Sequence, residues 1–85
     1  MRIRARLKDG VETEGLPGAP RNGSWVNGEF DEEEQWVILS EIRDGKRFCS
    51  LMSLCNFDRF QIGSPRRKRK RRTLTLDQFL KAIYE

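Results

Sequence analysis

An 85-residue chain with 36% hydrophobic and 35% charged residues, no histidine, two cysteines and a net charge of +4 is long enough for one modest core and too short for a catalytic cleft between two lobes. It offers no histidine base, no Gly-rich phosphate loop and no paired metal ligands, so it reads as non-catalytic and free of metal or cofactor. No apolar run exceeds the four residues Trp36 to Leu39, so neither a signal peptide nor a membrane span is expected and the protein is read as intracellular: cytoplasmic, or nuclear if its source is eukaryotic or a eukaryotic virus.

The first segment alternates strictly, with Ile3, Ala5 and Leu7 on one face and Arg2, Arg4, Arg6 and Lys8 on the other, the pattern of a half-buried strand. Asp9-Gly10 marks a turn. A three-residue loop, Lys8-Asp9-Gly10, pairs Leu7 with Val11, Arg6 with Glu12 and Arg4 with Glu14, so the cationic face is expected to be matched by its own hairpin partner. Leu16 to Ser24 holds two prolines and two glycines and reads as a surface loop. Trp25 to Phe30 reads as a short strand, followed by the acidic block Asp31 to Glu34. Trp36 to Ile42 is the candidate central strand, apolar on both faces for four residues. A second three-residue turn, Arg43-Asp44-Gly45, sets Glu41 opposite Arg47 and Leu39 opposite Cys49, which makes Cys49 a small buried residue. Ser53 to Phe60 holds a tight helical turn, and a last short strand ends at Ile62.

Five to six short strands within about 62 residues give a mainly β fold, a small antiparallel barrel or a strongly bent sheet, since a flat sheet of that size leaves a face and its edges open. The opening strand, the Gly-containing turn, the bent central hairpin and the ending "LMSLCNFDRFQI" resemble, over residues 1–62, the SH3-like and Sm-like small barrels. The resemblance implies a barrel-type fold. The Asn and Arg-Gly signatures of RNA-binding Sm-like proteins are not recognisable, so no site residues follow from it.

Residues 63–74 form a basic linker that contains "PRRKRKRR": Arg66, Arg67, Lys68, Arg69, Lys70, Arg71 and Arg72. Without these seven, ten cations face thirteen carboxylates, a net charge of −3, so the basicity is local. A run of like charges stays solvated unless an anion neutralises it, and five arginines favour forked contacts with phosphate. DNA or RNA is the expected partner, with Arg21 and Trp25 as further contacts. The aromatics Trp25, Trp36, Phe48, Phe57 and Phe60 fall mostly at core-like positions, and Trp25, following the loop and next to Arg21 and Asn22, is the one read as a base-stacking surface. The run also looks like a nuclear-import signal, and the acidic block at residues 31–34 is a candidate to screen it.

Residues 75–85 form a short amphipathic helix. Thr75 and Gln78 make a capping box, and Leu76, Phe79, Leu80 and Ile83 fall on one stripe. About ten residues are too few to be helical alone in water, so the stripe docks either on its own sheet or in the groove of a protein partner. The docking side and the oligomeric state are left open by the sequence.

Overall fold

The computed structural model describes residues 1–63 and 72–85. Five strands, β1 (Arg2–Leu7), β2 (Trp25–Asp31), β3 (Trp36–Arg43), β4 (Lys46–Ser53) and β5 (Phe57–Ile62), form one antiparallel sheet in the order β4-β3-β2-β1-β5, and one helix, α1 (Leu76–Tyr84), follows. The sheet is not closed into a barrel, yet it is strongly bent. A single 3₁₀ turn, Leu54–Asn56, joins β4 at one edge to β5 at the other, and the four peptide steps from Ser53 to Phe57 reach at most roughly 14 Å. The two edges therefore converge at this corner.

The alternation of β1 sorts its side chains as its sequence pattern requires, with Ile3, Ala5 and Leu7 at most 2% exposed. Its partners differ from the expectation. β1 pairs with β2 (Arg4↔Asn27, Arg6↔Trp25) and with β5 (Arg4↔Gln61, Arg6↔Arg59), and residues 11–14 form no strand. The predicted pairs with Val11, Glu12 and Glu14 are thus corrected. Gly10, Gly15, Gly18 and Gly23 all have positive φ, so the chain from Lys8 to Ser24 turns repeatedly and has no extended run to offer β1. Meanwhile β2 and β5 supply longer apolar faces for Ile3 and Ala5 to join.

The second hairpin is also shifted. Asp44 and Gly45 have φ of 52° and 75°, the two left-handed residues of a two-residue type I′ turn, whose twist suits a hairpin better than the three-residue loop expected. Arg43 therefore lies opposite Lys46, Glu41 opposite Phe48 and Leu39 opposite Ser50. Cys49 moves to the solvent face and is exposed, as is Phe48 at 44%, so neither is a core residue. Glu41 pairs with Arg43 and not with Arg47.

The core is one cluster between the concave face of the sheet and α1: Ile3, Leu7, Phe30, Val37, Phe57, Phe60 and Phe79 at its centre, with Leu74, Leu54 and Met52 closing it. Thr75 and Gln78 form the expected capping box, at 3.3 and 3.0 Å. The stripe docks on its own sheet. Phe79 is fully buried, stacked on Phe60 (centroids 4.5 Å apart, planes at 16°) and edge-on to Phe30 (5.1 Å), and Leu76, Leu80 and Ile83 pack against the same cluster. The Tyr84 hydroxyl donates to the Glu32 carbonyl at 2.5 Å, which ties the helix end to the acidic turn. Before the helix, Leu74 exchanges two 2.8 Å backbone hydrogen bonds with Phe60. The last residues of the linker thus add to the free edge of β5 and do not serve as a plain tether.

Candidate nucleic-acid interface

The two residues of a ladder pair share a face and successive pairs alternate, so the convex face of the sheet carries Arg2, Arg4 and Arg6 of β1 beside Trp25, Asn27 and Glu29 of β2 and Arg59 and Gln61 of β5. Some of its charge is neutralised. Arg2 lies 3.4 Å from Glu29, and Arg6 lies 2.7 Å from Asp58. The second pair has a structural cause: Arg6 faces Arg59 while Leu7 faces Phe57, which leaves Asp58 as the extra residue of a bulge that re-aims its carboxylate toward the arginine. Among the described residues Arg4 has no carboxylate partner. Its guanidinium sits 5.5 Å from the centroid of the Trp25 ring and its Nη1 donates to Gln61 at 3.5 Å. Arg59 donates to the carbonyl of Asp58. The β1/β5 half of this face is therefore cationic, whereas the β3/β4 half exposes Ile42 and Leu51 at 79% and 55%.

A groove of about 460 Å³ opens beside Trp25. Its origin lies in the ladder between β2 and β3, which stops at Glu29↔Ile38 although both strands run on. At the last tight point stands Gly28, where an added Cβ would lie 2.9 Å from Val37 Cγ1 and 3.0 Å from the Ile38 carbonyl. Only glycine lets the two backbones pass so closely before they part. Beyond it, Pro17, Gly18 and Pro20 wall the opening, and Arg21 stands at its rim. The Gly18 amide donates to Glu41 Oε2 at 2.7 Å, which fixes this loop over β3, while the Ser24 hydroxyl donates to the Arg21 carbonyl at 2.5 Å.

Of the residues singled out from sequence, Arg21 and Trp25 line this one groove, Arg21 exposed and Trp25 half-buried. Arg66, Arg67, Lys68, Arg69, Lys70 and Arg71 lie outside the described residues; Arg72 is described and exposed. On the two sides of the run, Gly63 donates to the Arg2 carbonyl at 2.9 Å, and Gln61 Nε2 donates to Thr73 Oγ1 at 3.1 Å. Both flanks of the run therefore meet the sheet next to Arg2, Arg4 and Gln61. Leu76, Phe79, Leu80 and Ile83, the alternative partner-binding set, are seated on the chain's own core. Sequence reasoning missed Arg4, Asn27 and Ser40 as members of the site, having assigned Arg4 to Glu14. The available signal was Gly28, a glycine inside a strand pattern, which marks a close backbone approach and a change in pairing.

Among known proteins, the chain matches no family model, no curated protein and no solved structure.

Proposed function

We propose that this is a non-catalytic nucleic-acid-binding protein in which the Arg/Lys run at residues 66–72 grips phosphates and the small β domain sets orientation. The observation that carries the reading is the position of the run's flanks. Gly63 and Thr73 are both tied to the β1/β5 half of the sheet, where Arg4 and Arg59 have no carboxylate partner among the described residues, so both ends of the basic segment begin at a cationic face. Phosphate contacts of this kind supply affinity that depends little on sequence, and a folded surface next to them adds register or preference. The meander order and the 3₁₀ turn before the last strand support the SH3-like, Sm-like resemblance as part of this proposal, with an open sheet in place of a closed barrel.

The alternative, an adaptor that inserts its terminal helix into a partner, requires Phe79 to leave a site where it is fully buried between Phe30 and Phe60, and is the weaker reading for that reason. Replacing the five arginines of the run by glutamine tests the first reading. Binding of a labelled 20-base-pair duplex at 50 mM salt falls at least about a hundredfold if the run is the grip. Unchanged binding assigns the affinity elsewhere and rejects it.

A further inference from the structure

We infer that the groove beside Trp25 takes a single unpaired base, so that the protein prefers single-stranded nucleic acid over duplex; this rests on the nucleic-acid reading above and adds the ligand class. The groove is a break in the sheet with a specific inventory. In an antiparallel sheet the backbone groups of alternate residues point to opposite neighbours. The Phe30 amide donates to Met1, and Leu7 exchanges hydrogen bonds with Gly23 and Ser24. In that phase Val26 and Gly28 bond to β1, and Trp25 and Asn27 point the other way, toward β3. On β3 the two-residue turn makes Arg43↔Lys46 the closing hydrogen-bonded pair, so Leu39 points to β4 and Ser40 points to β2. Since the β2/β3 ladder ends at Glu29↔Ile38, the amides and carbonyls of Trp25, Asn27 and Ser40 open into the groove without a strand partner. Together they present donors and acceptors within one opening, flanked by the indole of Trp25.

The chemistry of the lining selects the occupant. Among the described residues it includes one cation, Arg21, and no carboxylate, and Glu41, below the loop that walls it, is occupied by the Gly18 amide and by Arg43. A planar base with hydrogen-bonding edges and a phosphate on its sugar matches an indole, unpaired backbone groups and a rim arginine. Arg4, 5.5 Å from the Trp25 centroid, braces the ring and adds positive charge behind it. A base held within a duplex is stacked and paired and cannot enter; an unpaired one can.

The test uses the full chain with Trp36→Phe, so that Trp25 is the sole indole, titrated with a mixed-sequence single-stranded 12-mer and with its duplex. The single strand quenches the Trp25 emission, and Trp25→Leu weakens single-strand binding by about 5- to 100-fold while duplex binding changes less than twofold. Because Trp25 is half-buried, Ser40→Tyr is measured beside it: Ser40 is exposed, and a bulky ring there fills the groove from its rim. It too reduces single-strand binding selectively. Single-strand binding that survives both substitutions, or that gives no quenching, overturns the groove while leaving the phosphate-grip reading in place. Failure of the unsubstituted chain to bind either probe at 50 mM salt overturns both.

Discussion

Replacing Phe79 by alanine tests the claim that α1 is an integral wall of the core. The ring is fully buried and meets two other aromatic rings, stacked on Phe60 at 4.5 Å and edge-on to Phe30 at 5.1 Å. Truncating a buried phenylalanine costs about 3–5 kcal/mol through lost transfer energy and the cavity left behind, and each aromatic pair adds roughly 0.5–1.5 kcal/mol beyond its buried area. A domain of this size has a total stability on the order of 4–13 kcal/mol, so the substitution removes a large share of it. At roughly 4–8 °C per kcal/mol for a domain of 60–100 residues, the melting temperature drops by at least about 12 °C. Thermal unfolding followed by far-ultraviolet circular dichroism gives the number directly. A drop below about 3 °C, with the helical signal retained, would refute the packing argument and return the helix stripe to a role in partner binding.

Gly28→Ala forces a Cβ to within 2.9 Å of Val37 Cγ1 and 3.0 Å of the Ile38 carbonyl, and the backbone atom cannot swing aside; a loss of about 1–3 kcal/mol is expected in urea unfolding. Thr75→Ala removes the hydroxyl that accepts from the Gln78 amide and lowers stability by about 1 kcal/mol, read as a shift of roughly 4–8 °C in melting temperature. Asp58→Ala strips Arg6 of its carboxylate partner at 2.7 Å. Both side chains are about one-third exposed, so water screens the loss, which amounts to about 1 kcal/mol in the same unfolding experiment.

Strong periodicity made some elements legible from sequence. β1 alternates without exception, and α1 combines a capping box with a four-residue stripe, so both were readable to within a residue. Pairing was less legible. The Asp9-Gly10 turn is a good hairpin signal, yet β1 found partners 18 and more residues away, because the apolar faces of β2 and β5 bury more surface than "VETE" can. At Asp44-Gly45 the elements were right and the register off by one, enough to carry Cys49 from the expected core face to the solvent face beside Ser40. The site divided in the same way: Arg21 and Trp25 stood out as a cation and an aromatic after a Pro/Gly loop, whereas Arg4, Asn27 and Ser40 join them only through the break in the β2/β3 ladder.

If the run at 66–72 grips phosphate as proposed, fluorescence anisotropy of a labelled duplex across 50 to 200 mM salt registers it directly. The full chain is compared with a full-length variant carrying glutamine at all seven positions, since shortening the chain would remove Leu74 and Phe79 from the core. With about five cations engaged, log Kd rises with log salt at a slope of about 4 to 5, an affinity loss on the order of 10³-fold over that range, and the variant loses the slope. A slope near zero, or one that the variant retains, would contradict the account.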